Sequence, residues 1–310
     1  MAEVATSASS SANSSATSDQ LLVVVDPVAR RMDGESVRIA KDVLSAGAAH
    51  TKVCLPDGPE EFARALRRRG SRRPVVIGDD STLLRAVALL HRQRELAGCT
   101  LSVVPVGSAL GLARSLGLPT EAVAAARAVL DGAERRLDLL VDDSDGVVLG
   151  TVGIPPVLVP VPSRADSDAG AEADSGPGGG PGPASARPWL RTCQALVRTL
   201  ASSRPGRTAV MSGTAGPARL RVEVDGSTLV DLDQPVEAVS VTPGAGGVAV
   251  VEVRPLSVGA EAAPLTMSGH TVTVSGAHFR YRADAVVSGP VGTRTWTVRE
   301  GAWGLTLPVR

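Results

Sequence analysis

The sequence predicts an α/β protein with an N-terminal, doubly wound parallel-sheet domain and a β-rich, sandwich-like second domain. From residue 20 to residue 140, short apolar runs alternate with segments of helical spacing, which is typical of βαβ units that build a parallel sheet with helices on both faces. From residue 141 to residue 310, short strand-like segments are separated by Gly, Pro and Asp-Gly turns, which indicates antiparallel strands.

In the first half, the predicted strands are rich in Val, Ile or Leu, and the predicted helices carry apolar residues three and four positions apart. The predicted strands cover residues 21–25, 51–55, 75–77 and 101–104. The predicted helices cover residues 36–46, 62–66, 82–96, 110–116 and 121–130. Residues 1–19 are rich in Ser, Ala and Thr, and we expect this tail to be disordered.

In the second half, most predicted elements are short strands. They cover residues 146–150, 157–161, 219–224, 236–241, 247–253, 270–274, 294–298 and 305–309. Residues 163–187 consist mainly of Gly, Pro, Ser, Ala and Asp without apolar periodicity, and we expect them to form a disordered insertion. An amphipathic helix is predicted directly after it, at residues 188–201.

Composition excludes several classes of function. The formal charge is +0, with 32 basic and 32 acidic residues, so the overall charge favours neither nucleic acid nor an anionic membrane as a partner. All basic residues except Lys41 and Lys52 are arginines, which is typical of codon bias rather than of a binding surface. Three widely spaced cysteines argue against a disulfide framework or a zinc site, and predict a reducing cytoplasmic location. We expect neither a signal peptide nor a transmembrane segment.

Two stretches predict an anion site. Residues 75–84 read V-V-I-G-D-D-S-T-L-L, and residues 101–119 read L-S-V-V-P-V-G-S-A-L-G-L-A-R-S-L-G-L-P. In each, an apolar strand ends in a turn of small or polar residues that opens a helix. Helix N-termini and turn amides point at bound anions, so this pattern is typical of a phosphate site in an α/β domain.

These stretches resemble two motifs of the diacylglycerol kinase and related lipid kinase catalytic domain, G-G-D-G-T-L-N-E and P-L-G-T-G-N-D-F-A-R-x-L-G-I-P. The positions that match are Gly78, Asp80, Thr82, Leu83, Pro105, Gly107, Ala113, Arg114, Leu116, Gly117 and Pro119. A later hinge, G-x-x-R-x-I-D-L in the family, is matched by Gly132 and Asp138. The resemblance implies a fold like that of the NAD kinases, and transfer of a phosphoryl group from ATP to a lipid hydroxyl with Mg²⁺.

The resemblance also implies a set of nucleotide-binding positions, and several of them depart from the family pattern. The positions are Asp26, Gly78, Asp79, Asp80, Ser81, Thr82, Gly107 and Ser108. Asp79 and Ser81 replace two glycines, and residues 84–85 are Leu-Arg in place of Asn-Glu. Residues 108–111 replace Thr-Gly-Asn-Asp, and residues 26–30 read D-P-V-A-R where the family has Asn-Pro-x-Ser-Gly.

The roles of three of these positions stay open between two interpretations. Asp79 and Asp80 are either Mg²⁺ ligands or ordinary turn residues, and the second interpretation is favoured. Ser108 either contacts nucleotide or caps the following helix, and again the second is favoured.

The resemblance implies a catalytic base in an Asp-Gly-x-Leu-Asp segment, which this chain lacks. The corresponding residues 246–253 read G-G-V-A-V-V-E-V, and Glu252 is the candidate substitute. The four histidines have no metal-ligand spacing. The aromatic residues of the second half are predicted to form one cluster in the core of the sandwich-like domain rather than a nucleic-acid stacking surface: Phe279, Tyr281, Trp296 and Trp303.

Together, these patterns favour a lipid kinase-family protein with weakened or lost catalysis, acting as a regulatory or binding module whose interdomain cleft takes a nucleotide or a lipid. The alternative is an active, divergent lipid kinase that uses ATP and Mg²⁺; without activity, no cofactor is expected. An NAD kinase is a third reading, ranked last because it needs the Asn-Glu pair that residues 84–85 replace. A homodimer is left open.

Overall fold

A computed structural model describes residues 20–156, 217–256 and 263–309 of the chain. The predicted tail at 1–19, the insertion at 163–187, the strand at 157–161 and the helix at 188–201 lie outside the described residues.

A parallel sheet forms the centre of the N-terminal half. Its strands are β1 (Gln20–Val25), β2 (His50–Cys54), β3 (Arg73–Gly78) and β4 (Thr100–Pro105), in the order β2-β1-β3-β4. All but the first residue of β1, β3 and β4 is buried, as expected for parallel strands covered on both faces. Strand β2 lies at the edge and is largely exposed, which explains its mixed sequence, H-T-K-V-C.

Helices cover both faces of this sheet. They are α1 (Pro27–Met32), α2 (Gly34–Gly47), α3 (Pro59–Arg67), α4 (Asp80–Arg92), α5 (Gly111–Ser115) and α6 (Ala122–Asp131). On one face, Leu44 of α2 and Ala125 of α6 pack on the odd-numbered residues of β1. On the other face, Phe62 of α3 and Leu83 of α4 pack on the even-numbered residues.

The rest of the described chain is rich in strands. These are β5 (Ala133–Asp142), β6 (Val147–Val148), β7 (Val152–Ile154), β8 (Ala218–Val224), β9 (Ser227–Val230), β10 (Pro235–Pro243), β11 (Ala249–Pro255), β12 (Leu265–Gly269), β13 (Thr271–Ala283) and β14 (Val286–Leu307). Their mutual pairings are antiparallel. The structure is therefore a mixed α/β fold with a strand-rich C-terminal region.

Strand β14, 22 residues long, connects the two regions. It pairs with β13 along its first half, with β5 along its second half, and in parallel with β4 at Gly304 and Leu305. The hydroxyls of Ser102 and Thr306, both buried, are 2.8 Å apart beside this junction. Trp303 and Leu305 of β14 also belong to the core that α3 and α4 cover.

All four aromatics predicted to cluster in the core of the strand-rich domain are buried, but the predicted location is right for three of them only. Phe279, Tyr281 and Trp296 lie in the core of the strand-rich region, where the rings of Tyr281 and Trp296 meet edge-to-face at 5.3 Å. Trp303 instead lies in the core beneath the parallel sheet.

Several predicted element bounds need correction. Helix α4 ends at Arg92 rather than at residue 96, and Arg94 has a left-handed backbone (φ 57°) that cannot continue a helix. The strands predicted at 294–298 and 305–309 are parts of the single strand β14. The hinge motif matched by Gly132 and Asp138 lies for the most part in a strand, β5 (Ala133–Asp142). The predicted domain boundary at residue 140 stays a prediction.

None of the helices in the described ranges combines the length and hydrophobicity needed to cross a membrane.

Candidate functional site

The candidate site lies at the carboxyl ends of β1, β3 and β4, where ligands bind in open α/β sheets. Each of these strands is followed by residues predicted from the sequence: Asp26 after β1, Asp79 and Asp80 around the end of β3, and Gly107 and Ser108 after β4. Main-chain hydrogen bonds join the last two turns, because the Asp80 N–H donates to the Ala109 carbonyl and the Val106 N–H donates to the Gly78 carbonyl, each at 2.9 Å.

Asp79 occupies the N-terminus of helix α4. Its Oδ1 atom accepts hydrogen bonds from the Ser81 hydroxyl (2.6 Å), the Thr82 N–H (3.1 Å) and the Thr82 hydroxyl (3.1 Å). This is the arrangement of a helix N-cap, in which a side-chain oxygen satisfies amides that have no partner inside the helix. The chain's own carboxylate therefore sits where a bound phosphate would contact the start of α4.

Asp80 is buried and faces the next helix. Its Oδ2 accepts the N–H of Leu112 at 2.8 Å and its Oδ1 accepts the N–H of Ala113 at 2.9 Å, so it caps α5. Burial raises the pKa of the Asp80 carboxyl above its ordinary value, although the hydrogen bonds from α5 act in the opposite direction. Asp80 thus connects the turn after β3 to the helix after β4.

Gly107 brings the loop after β4 against Asp79. Its backbone has a φ of 136°, and a Cβ atom at this position would lie 3.1 Å from the Cβ of Asp79. Ser108 is exposed, and the residue that precedes helix α5 is Leu110, without a side-chain cap. The favoured interpretation of Ser108 as a helix cap is therefore wrong, because Asp80 takes the α5 amides instead.

Asp26 and Arg85 form an ion pair across the site. Asp26 Oδ2 accepts the N–H groups of Val28 (2.9 Å) and Ala29 (3.4 Å) at the start of α1, and its Oδ1 lies 3.2 Å from Arg85 Nη1. The Asp26 side chain is 4% exposed and that of Arg85 is 38% exposed. The Arg85 guanidinium also lies 5.8 Å from the centre of the Phe62 ring. Asp26 and Arg85, which stand where the family motifs have Asn and Glu, thus neutralise each other's charge.

Asp284 is a site residue that the motifs do not indicate. It lies between β13 and β14 with a left-handed backbone (φ 50°), and its carboxylate accepts the N–H groups of Leu149 (2.8 Å), Gly150 (2.7 Å) and Thr151 (2.9 Å). Burial raises the pKa of the Asp284 carboxyl, and the negative charge of nearby Asp80 raises it further. The strand-rich region therefore contributes a half-buried carboxylate to the neighbourhood of Asp80.

A sequence signal for Asp284 does exist, but it is weak. Aspartate tolerates the left-handed conformation better than most residues, and Asp284 stands between two strand-like runs, where a tight turn is expected. Its approach to Asp80, however, depends on a tertiary contact that a local pattern does not encode.

Comparison with known proteins identifies the N-terminal half. The family model of the diacylglycerol kinase catalytic domain matches residues 20–141. These residues belong to the diacylglycerol kinase catalytic-domain family. The resemblance carried by the two motifs is thereby confirmed.

Solved structures show a similar fold over most of the chain. A crystal structure of a diacylglycerol kinase from Bacillus anthracis str. Sterne has a TM-score of 0.61 and 12% sequence identity, with 93% of this chain and 97% of that chain covered. Another structure from Bacillus anthracis str. Sterne gives a TM-score of 0.62 and 13% identity over the same shares. At this identity the likeness concerns the fold. No curated protein matches the chain by sequence.

The family implies Mg²⁺, and the residues present do not fit it in this arrangement. Asp79 Oδ1 and both oxygens of Asp80 face N–H or O–H donors, and a cation placed there would meet the positive ends of α4 and α5. Across the described ranges, no group of three or more His, Cys, Asp or Glu side chains is arranged to hold a metal ion.

Glu252, the predicted substitute base, lies on β11. It forms an ion pair with Arg254 on its own strand at 3.2 Å. Four strands, β10, β7, β13 and β14, stand between β11 and β4 in the strand order. A catalytic role for Glu252 stays a prediction, and Asp284 is the carboxylate that the structure places near Asp80.

Proposed function

We propose that this diacylglycerol kinase-family protein transfers no phosphate, and acts as a binding or regulatory module whose nucleotide site is closed by its own carboxylates. The observation that supports the proposal most directly is Asp79, which holds the start of α4 through three hydrogen bonds. In the family motif this position is a glycine, which leaves the helix N-terminus open to an anion.

The neighbouring helices are closed in the same way. Asp26 caps α1, Asp79 caps α4 and Asp80 caps α5, so each helix that points its N-terminus at the site binds an internal carboxylate. Like charges about 4 Å apart repel by about 4 kcal/mol at the effective dielectric constant of a protein surface. Arg85, paired with Asp26, is too little positive charge to offset a triphosphate beside three carboxylates.

A second candidate function is a divergent lipid kinase that uses ATP and Mg²⁺. The observation that favours it is the pair of carboxyls with raised pKa, buried Asp80 and half-buried Asp284, because a carboxyl with a raised pKa is suited to accept a proton from a lipid hydroxyl. In that case Asp284 is a better candidate base than Glu252. This function also requires Asp79 to leave the start of α4 and to join Asp80 in holding Mg²⁺.

Titration of the full chain with ATP, with and without Mg²⁺, tests the proposal. We expect no measurable heat in either titration, and no labelled phosphatidate or other lipid product when the protein is incubated with labelled ATP, Mg²⁺ and diacylglycerol or sphingoid lipids. A product that disappears in the Asp80→Asn variant would establish the second candidate function instead. Product that persists unchanged in this variant comes from a contaminating kinase.

A further inference from the structure

A cavity of about 300 Å³ opens between the edge strand β2 and helix α3. Its buried or half-buried floor includes Leu22, Pro56 and Ala65, and its exposed rim carries Lys52, Arg64 and Arg68. Lys52 stands opposite Leu22 in the middle of β1, so the cavity lies on the flank of the sheet, whereas the candidate site lies beyond the carboxyl ends of β1, β3 and β4.

The cations at this rim have no acidic partners in the described part of the chain. Arg64 and Arg68 are four residues apart and therefore lie on one face of α3. Among the described residues, neither they nor Lys52 takes part in an ion pair or a side-chain hydrogen bond. Glu61, the acid that lines the same cavity, accepts the backbone N–H of Asp57 at 3.0 Å.

This local excess of positive charge stands out against the composition of the chain. The whole sequence balances 32 basic with 32 acidic residues, and Arg69, next to Arg68, does pair with Glu95. The lining carries three positive side chains and one acid, Glu61, so a net positive charge remains at the opening and attracts a further anion. Guanidinium groups bind phosphate with paired, charge-assisted hydrogen bonds, so phosphate is the anion that suits this rim best.

The floor and one wall of the cavity are apolar. Leu22 and Ala65 line it, and Leu55 stands beside it with 45% of its surface exposed. A free inorganic ion would leave these groups in water, whereas a ligand with a short apolar part would cover them. The volume is at the lower end of the range for small-ligand pockets, which fits a head group and the first part of a chain.

We propose that this cavity binds an amphiphilic phosphate ester, with Lys52, Arg64 and Arg68 holding the phosphate group and Leu55 and Ala65 contacting the apolar part. This chemistry is shared by soluble phosphoesters and by phospholipid head groups. The proposal is independent of the function proposed above, because none of these residues caps the helices of the candidate site.

Calorimetric titration of the full chain with octyl phosphate, below its micelle-forming concentration, tests the proposal. We expect octyl phosphate to bind. We expect inorganic phosphate, which lacks the apolar chain, and octanol, which lacks the phosphate, to bind at least about tenfold more weakly. The triple variant Lys52→Gln, Arg64→Gln, Arg68→Gln should weaken binding by about a hundredfold.

A matched control variant removes three positive charges from exposed positions outside the cavity. Arg92, Arg280 and Arg299 are exposed, and the variant with all three changed to Gln should bind octyl phosphate like the wild type. The Asp79→Gly, Ser81→Gly variant should also bind it unchanged, which separates this cavity from the nucleotide site. Equal weakening in both triple variants, inorganic phosphate bound as tightly as octyl phosphate, or no binding at millimolar concentration would each overturn the proposal.

The source of the phosphate is decided by competition. Vesicles of phosphatidylcholine with phosphatidate are added to the octyl phosphate complex, and vesicles of phosphatidylcholine alone serve as reference. Displacement by the first vesicles alone assigns the cavity to a membrane lipid, and retention of octyl phosphate assigns it to a soluble phosphoester. The partitioning of octyl phosphate into each kind of vesicle is measured without protein and subtracted. Net displacement by both kinds of vesicle would then show that the apolar part alone determines binding and would overturn the role of the three cations.

Discussion

At the scale of single residues, the carboxylates of the candidate site are bound to backbone amides. Asp26, Asp79, Asp80 and Asp284 each accept at least one main-chain N–H. In the family motifs, the position of Asp26 is an asparagine and the position of Asp79 is a glycine, and neither residue carries a charge. In the function proposed above, these hydrogen bonds occupy backbone amides that a phosphate would otherwise bind.

Reopening the turn at Asp79 should restore affinity for ATP. In the Asp79→Gly, Ser81→Gly variant, the α4 amides lose their internal carboxylate and glycine permits close approach of the backbone to phosphate. We expect a gain of about tenfold or more in ATP affinity by calorimetry, since one repelling charge is removed. Ser81→Gly alone is the control, because it keeps Asp79.

The opposite result is equally informative. If wild type binds ATP with Mg²⁺ and the double variant does not, Asp79 is a metal ligand and the site is adapted rather than closed. If neither protein binds, Asp26 and the buried Leu110 also close the site.

The Asp26–Arg85 pair should show strong coupling. Arg85→Gln leaves the nearly buried Asp26 carboxylate without its cationic partner and should lower the free energy of unfolding by about 1–2 kcal/mol. Adding Asp26→Asn, which keeps a capping oxygen and removes the charge, should recover part of this loss. Chemical denaturation of the four members of the cycle measures the coupling, with exposed Arg92→Gln on the same helix as control. Additive effects would show that the pair contributes nothing.

Because the pKa of Asp284 is raised in the folded state, ionisation of its carboxyl should lower the free energy of unfolding. A carboxyl whose pKa is higher in the folded state is protonated there while the unfolded chain is already ionised, so stability falls as pH rises from about 4 through the folded pKa. Above that pKa the cost stays constant. The free energy of unfolding of wild type minus that of Asp284→Asn should therefore decrease with pH in this window, as measured by urea denaturation.

A difference that instead increases with pH would mean that the three amides lower the pKa of Asp284 more than burial raises it. The variant Asp225→Asn is a suitable contrast, because hydrogen bonds from His270 and Thr271 lower the pKa of Asp225. The corresponding difference for that residue should increase as pH rises through the range below about 4.

At the scale of elements, the parallel strands were predictable and the long antiparallel ones were not. Strands β1, β3 and β4 are buried on both faces, so their sequences are continuous apolar runs. Strand β5 begins with four exposed residues, A-E-R-R, and its pairing with β14 is what makes it a strand. Residues 286–293 read V-V-S-G-P-V-G-T, and because the Gly-Pro pair in the middle is typical of a turn, the sequence does not predict the first part of β14.

The same distinction applies to the site. Motif spacing places Asp26, Asp79, Asp80 and Gly107 at one edge of the sheet, because carboxyl ends of parallel strands meet there. It does not reveal that Asp26 binds Arg85, or that Asp284 approaches Asp80 from the other half of the chain. These contacts arise from tertiary packing between segments far apart in sequence.

The junction of β4 and β14 should depend on the paired hydroxyls of Ser102 and Thr306. Ser102→Ala leaves the buried Thr306 hydroxyl without this partner and should cost about 1–2 kcal/mol in unfolding free energy. The double variant Ser102→Ala, Thr306→Val removes both polar groups and should be closer to wild type. Urea denaturation checks this, and a double variant less stable than Ser102→Ala would contradict it.

At the scale of the whole molecule, the family domain shares its core with the C-terminal region. Trp303, Leu305 and Leu307 of β14 pack with Leu101 and Leu139 in the core under α3 and α4. Removing one buried tryptophan alone typically costs about 3–5 kcal/mol, comparable with a large part of a domain's stability. Residues 20–141 are thus a family unit by sequence, but they share a hydrophobic core with a later strand.

A fragment of residues 20–142 should therefore fail to fold cooperatively. We expect no sigmoidal thermal transition by circular dichroism, because the fragment lacks the β14 side chains that fill its core. Trp296 pairs with Asp142 in the sheet, so residues 294–309 attached to residue 142 through a short glycine-rich turn can restore β14. That fusion should regain a cooperative transition. Cooperative melting of the unfused fragment would contradict the prediction.

The place of β14 also has a consequence for biosynthesis. Ser102 and Thr306, which meet beside the junction, are 204 residues apart in the chain. While the ribosome is still producing the segment between them, the β4 edge of the parallel sheet has no partner and its leucine-rich underside is uncovered. Contacts between residues so far apart in sequence form slowly, and hydrophobic surface stays exposed until they form. The nascent chain should thus need protection by chaperones until β14 has emerged, and pausing of translation before that point should promote aggregation.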